Sequence, residues 1–160
     1  MKRLLVALTI LLGVAMSASA ETPANKDGNI GVGAFISGGV KNGISAKYWI
    51  DAENAIDLAF SYAGGDYEYT YLHADYLIHR YDKVKVEQGE VPLYAGIGVF
   101  MEDDGIFATN GLRIPVGFSY MAKDAPADLY VEIAPTFVSG DISGFYFAGS
   151  VGFRYFFETK

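Results

Sequence analysis

Apolar and polar side chains alternate along most of this chain. Between Leu112 and Tyr120 every even-numbered residue is apolar or aromatic, and the odd-numbered residues are arginine, proline, glycine and serine. A period of two residues predicts a β-strand with one apolar face, and no segment shows a convincing helical period. Eight segments carry this signal and are predicted to be strands: 29–36, 43–51, 54–62, 69–80, 91–101, 111–121, 129–138 and 144–157.

Eight strands of this kind predict a closed barrel. Several have about the 9–11 residues that a tilted strand needs to cross a bilayer, and an even strand number returns both ends of the chain to one side. The predicted fold is therefore all-β, an eight-stranded antiparallel up-and-down transmembrane β-barrel. Pro115 and Pro135 fall inside predicted strands, where each removes a ladder donor, so a bulge or kink is expected at both.

The polar face decides which side of the sheet points inward. It carries about one charge per strand among glycine, alanine and serine, which suits the narrow interior of an eight-stranded barrel. Aromatic residues near strand ends resemble the two girdles of a membrane barrel: Trp49, Tyr62, Tyr69, Phe100, Tyr120, Tyr130, Phe145 and Tyr155. The alternative is a soluble lipocalin-like binder, in which the apolar face would line a ligand cavity.

Both ends of the chain point to export. Lys2 and Arg3 precede an apolar run and a small-residue cleavage site, which predicts a signal peptide at residues 1–20, cleaved after Ala20, followed by one barrel domain at 21–160.

The mature chain would hold 10 basic against 19 acidic side chains, which disfavours nucleic acid as a partner. The absence of cysteine excludes disulfides and thiolate metal sites.

The last strand ends in a pattern of four residues, Ser150, Gly152, Tyr155 and Phe157, that looks like the C-terminal assembly signal of bacterial outer-membrane barrels. Together with segments 43–62, 71–79, 91–100 and 111–135, it resembles a family of small, mostly uncharacterised outer-membrane barrels, similar in architecture to the transmembrane domain of outer membrane protein A. The resemblance implies an eight-stranded barrel and no settled activity. We expect the bacterial outer membrane as the location, a monomer, and no cofactor. We also expect contact with lipid and lipopolysaccharide, and with the barrel assembly machinery and periplasmic chaperones during biogenesis, and an extracellular protein ligand is a candidate partner.

The polar face carries charges of both signs. Lys47, Arg113 and Arg154 stand against Asp57, Asp75 and Glu132, with His73 beside them. Charges inside a barrel persist when they are paired, so these residues predict an interior ionic network. Turn positions predict a row of Lys47, Asp57 and Asp75, and place Glu132 near Arg154. Such a network either closes the interior as a plug, which we favour, or forms a narrow ion pore.

Candidate chemistry is sparse. His73 and Asp75 share a face, with Ser61 or Ser45 as a candidate third residue, so a lipid-modifying enzyme is a third alternative. Nothing local puts either serine within hydrogen-bond reach of this histidine, however, and no catalytic residue is assigned. His79 is predicted near the periplasmic rim. Glu102, Asp103 and Asp104 form an acidic cluster in an outer loop, which is too small a set of oxygen ligands to predict a metal site. We therefore expect a structural or surface-binding role through short outer loops, at 37–42, 63–68, 102–110 and 139–143.

Overall fold

The computed structural model describes residues 29–38, 41–65, 68–81, 84–87 and 89–157. Of these residues 77% lie in strands and none in a helix, so this part of the chain also contains no helix long and apolar enough to span a membrane. The predicted signal peptide lies outside the described residues. The strands are β1 (Ile30–Ser37), β2 (Asn42–Trp49), β3 (Asn54–Ala63), β4 (Tyr69–Arg80), β5 (Lys85–Val86), β6 (Gly89–Glu90), β7 (Leu93–Asp103), β8 (Ala108–Arg113), β9 (Val116–Ala122), β10 (Ala127–Gly140) and β11 (Gly144–Phe157).

The strands form an antiparallel ring of eight. β8 and β9 pair with β7 and β10 in one continuous register, so together they act as a single strand. β6 extends β7 in the same way, and β5 folds back on β6 as a small hairpin. The ring closes where β1 pairs with β11. The antiparallel eight-stranded ring predicted from the alternating pattern is therefore confirmed.

The ring closes with a defined offset. Directly paired residues lead from Phe156 through Gly31, Lys47, Asp57, Asp75, Gly98, Arg113 and Thr136 to Tyr146. The path returns to β11 ten residues before its start, which is the shear of the barrel. For ~3.3 Å per residue and ~4.7 Å between strands, this shear gives a strand tilt of about 41° and a backbone radius of about 8 Å.

The two prolines do not shift the register. Pro115 interrupts the ladder between β8 and β9, but no extra residue is inserted on either side of it. Pro135 lies within β10 and is paired with Phe147 in an unbroken register. The expectation was a bulge or a kink, and the unbroken register shows that the bulge is wrong at both positions. Their carbonyls still accept hydrogen bonds, from Gly96 N to Pro115 O and from Ile114 N to Pro135 O, both at 2.9 Å, which keeps the strands aligned.

Large apolar side chains point away from the barrel on every long strand. Ile97 is 59% exposed and Phe147 is 67% exposed, whereas the charged face is buried inside. This arrangement is opposite to that of a soluble lipid-binding barrel, whose apolar face would line the interior. The aromatic prediction is wrong for four residues, because Trp49, Tyr69, Phe100 and Tyr130 are buried, whereas Tyr62, Phe145 and Tyr155 do point outward.

Candidate functional site

The interior is arranged in three layers. An aromatic and apolar cluster closes one end (Phe35, Ala59, Tyr69, Tyr71, Phe100 and Tyr130), and a second closes the other (Trp49, Ala55, Met121 and Phe156, with Tyr81 against it). Between them lie charged and polar side chains from six of the eight strands of the ring. The seven residues predicted for the ionic network, Lys47, Asp57, His73, Asp75, Arg113, Glu132 and Arg154, are all buried there.

Arg154 connects three strands at the centre of the network. Its guanidinium donates to Asp57 on β3 and, at 3.2 Å, to Asp128 on β10. Its Cζ lies 4.1 Å from the centre of the Tyr130 ring, within cation–π range. Arg154 is completely buried, so its charge depends on these partners instead of on water.

Lys47 occupies the same half of the interior. Its Nζ lies 3.8 Å from Asp128 Oδ2 and 3.0 Å from His79 Nε2. It also lies 4.7 Å from the Trp49 ring and 5.4 Å from the Tyr94 ring. His79 is wholly buried, and its Nδ1 is 3.1 Å from the carbonyl oxygen of Glu53 in the β2–β3 turn, so it lies inside the barrel near the end where it was predicted.

Arg113 organises the other half. It donates to Glu132, and to Tyr71 Oη at 2.9 Å, and its Nε lies 3.3 Å from Asp75 Oδ2. Tyr94 donates to the second oxygen of Glu132 at 3.1 Å. Glu132 is therefore a partner of Arg113, and the prediction that placed it beside Arg154 is wrong. The direct partner of Arg154 across the last hairpin is Asp128.

His73 joins the two halves. Its Nε2 lies 3.8 Å from Asp57 Oδ1 and 3.7 Å from Asp75 Oδ2. Its Nδ1 accepts from Arg113 and lies 3.0 Å from Tyr71 Oη. The hydroxyl of Ser61, a serine considered for a hydrolase, instead donates to the Asn42 carbonyl oxygen at 2.6 Å. The contacts of His73 are therefore those of a network member enclosed by charges.

The structure adds Asp128 to the predicted network. Three buried cations now face four buried carboxylates, Asp57, Asp75, Asp128 and Glu132. The predicted strand 129–138 leaves Asp128 in the turn before it, but β10 begins at Ala127. The signal was present, because Asp128, Tyr130 and Glu132 follow the inward period of two.

The outer acidic cluster separates into three different roles. Glu102 accepts a hydrogen bond from Lys41 Nζ at 2.6 Å, and Lys41 also lies over the rings of Tyr71 and Tyr146. Asp103 accepts from Gly105 N at 2.9 Å. Asp104 accepts from the backbone amides of residues 107 and 106, which hold its pKa below the usual carboxyl value. Among the described residues no group of three or more His, Asp or Glu side chains is placed to hold a metal ion.

The four residues of the predicted assembly signal lie on both faces of β11. Ser150 and Gly152 face the interior, and Tyr155 and Phe157 are exposed on the outer surface. Gly152 is required there, because a Cβ at this position would lie 2.6 Å from the Tyr130 ring. Comparison of the chain with models of protein families, with curated proteins and with solved structures found no match.

Proposed function

We propose that this protein is an integral β-barrel of the bacterial outer membrane with a closed interior, and that it acts as a rigid scaffold that presents short loops at the cell surface. The observation that carries the proposal is the combination of an apolar outer surface around the ring with a charged interior covered at both ends. A soluble monomer seldom exposes apolar patches beyond a few hundred Å². A bilayer accepts such a surface and requires the closed hydrogen-bonded ring.

The height of the apolar surface fits this proposal. On β11 the outward face runs from Phe145 to Phe157, which at the tilt derived above rises about 30 Å along the barrel axis. On β10 it runs from Leu129 to Phe137 and rises about 20 Å. These values bracket the ~25 Å apolar band of outer-membrane barrels.

The interior favours a scaffold over an ion pore. Arg154, Arg113 and their carboxylate partners fill the middle of a barrel whose radius leaves just enough width for side chains. We expect no stepwise conductance when the purified chain is added to a planar lipid bilayer. Conductance that Asp57→Ala alters would favour the pore instead.

Location and orientation are testable because the chain contains no cysteine. Single cysteines at Ser143 and Asp124, both exposed and at opposite ends of the barrel, are labelled on intact bacteria with a membrane-impermeant maleimide. Ser143→Cys should react on intact cells, and Asp124→Cys only after the outer membrane is permeabilised. The folded chain in nonionic detergent should also change its gel mobility on boiling. Solubility without detergent, or labelling of neither site on intact cells, would contradict the proposal.

A further inference from the structure

A cleft opens at the end of the barrel where the chain turns from β1 to β2, from β3 to β4, from β7 to β8 and from β10 to β11. It has a volume of about 290 Å³ and lies between the β7–β8 turn and the β10–β11 turn. Phe107, Ile142 and Phe145 provide apolar walls, and Glu102 and Asp104 provide carboxylates. The cleft lies outside the interior ionic network, so the closed interior does not account for it.

The cleft is preformed, because the two turns are braced against each other. Ala108 N donates to Asp141 Oδ2 at 2.9 Å, and Asp141 N donates back to Ala108 O at 3.1 Å. The β7–β8 turn is further fixed by Phe107 N, which donates to Asp104 Oδ1 at 2.7 Å, and by the positive φ of Gly105. A ligand would therefore meet walls that need little ordering, which lowers the cost of binding.

The charge around the cleft is strongly one-sided. Among the described residues of the four predicted outer loops (37–42, 63–68, 102–110 and 139–143) there is one lysine against five acidic residues. That lysine, Lys41, is already paired with Glu102 and its side chain is only 16% exposed. Asp104 lines the cleft and is exposed, and Asp103 and Asp141, each next in sequence to a lining residue, are exposed as well. Such a field attracts cations and repels the phosphates of lipids and nucleic acids.

We propose that this cleft binds a basic, amphipathic peptide segment of an extracellular protein, with an apolar side chain between Phe107 and Ile142 and flanking lysine or arginine beside Asp104 and Asp141. The inference rests on the proposed function, which puts these turns on the cell surface. Apolar contact supplies the area, and the acidic rim supplies the preference for a basic partner.

The test uses variants that remove charge but keep the turns. Asparagine retains an acceptor for the backbone amides, so Asp104→Asn with Asp141→Asn removes two of the acidic charges and preserves the hydrogen bonds that brace the turns. The matched control is Asp51→Asn with Asp124→Asn, which removes the same charge at the opposite end, where Asp51 also accepts backbone amides. Phe107→Ser removes an apolar wall.

The probe is a fluorescein-labelled synthetic peptide in which leucine and lysine alternate. Its binding to the full chain in nonionic detergent is measured by fluorescence anisotropy. Two comparison peptides carry glutamate in place of lysine or serine in place of leucine. We expect saturable one-to-one binding of the leucine–lysine peptide to the natural chain. The rim pair, Asp104→Asn with Asp141→Asn, should raise its Kd at least about tenfold. The control pair should change the Kd less than about twofold. Phe107→Ser should weaken the binding of the leucine-containing peptide more than that of the serine-containing peptide.

Two outcomes would overturn the inference. One is the absence of saturable binding. The other is an equal loss of affinity in the rim pair and the control pair, which would mean that net charge alone attracts the peptide. The heat-dependent gel mobility of the same samples separates this result from the proposed function. A chain that keeps the mobility shift but does not bind overturns only the inference, and a chain without the shift overturns both.

Discussion

Replacement of Arg154 by methionine measures how strongly the interior depends on its ion pairs. The variant keeps much of the side-chain volume but leaves Asp57 and Asp128 buried without their guanidinium partner. Removing one partner of a buried pair costs about 3–5 kcal/mol. The lost contact with the Tyr130 ring adds about 2 kcal/mol when the cation is buried. We therefore expect Arg154→Met to lower the free energy of unfolding by at least about 3 kcal/mol.

A second variant separates charge from packing. Arg154→Met leaves four buried carboxylates against two cations, and adding Asp57→Asn reduces the excess of carboxylates to one, as in the natural chain. Because the two residues are in direct contact, the double variant should recover at least about 1 kcal/mol over the single one. Arg80→Met is the control, because Arg80 and its partner Glu53 are about half exposed (54% and 51%). Its cost should be below about 1 kcal/mol.

Urea titration in nonionic detergent, followed by tryptophan fluorescence, provides the measurement. Trp49 is the single tryptophan; it is wholly buried and its ring centre lies 4.4 Å from that of His79, so exposure on unfolding shifts its emission. Slopes must agree among variants for midpoints to be compared. The reasoning fails if Arg154→Met unfolds within about 0.5 kcal/mol of the natural chain, or if Arg80→Met costs as much.

Two further predictions concern glycine and pH. Gly98→Ala should destabilise the barrel by about 1–3 kcal/mol in the same titration, because its Cβ would lie 1.8 Å from Asp75 Oδ1, whereas Gly149→Ala meets no atom within 4 Å and should change little. Asp51 accepts backbone amides from the turn after β2, chiefly that of Glu53, which lower its pKa. Its contribution, at most about 1 kcal/mol at an exposed site, should be present above the ordinary carboxyl pKa and vanish as pH falls through the lowered pKa. The check is the free energy of unfolding measured at a series of pH values for both chains, and Asp51→Ala should lack this part of the pH dependence.

The strand pattern and the facing of charged residues were predictable because both depend only on local alternation. Each strand of the ring has a period of two, so the position of Asp57 on the inner face follows from its neighbours. The row of Lys47, Asp57 and Asp75 followed from two turns of defined length. Where a turn fixes the register, adjacent pairs can be predicted from sequence.

Contacts across the interior could not be predicted in this way. Arg154 and Asp57 are 97 residues apart in sequence, and they meet because of the shear, which no single hairpin determines. Large inward aromatics such as Trp49 and Tyr130 were missed because an amphipathic ring suits an interface as well as a polar interior. Asp128 was missed because the start of β10 was placed two residues late.

The paired prolines make one side of the barrel wall weaker than the rest. Pro115 has no N–H to donate back to Gly96, and Pro135 has none to donate back to Ile114. The strand formed by β8 and β9 therefore lacks one hydrogen bond to β7 and one to β10, at adjacent residues. Local opening of a structure begins where hydrogen bonds are sparse. Backbone amide exchange around Gly96 and Ile114 should therefore be faster than at the same depth on β2 and β3. Local opening of this barrel would then occur first in the part of the wall formed by β7, β8 and β10, and thermal fluctuations would be larger there than in the rest of the ring.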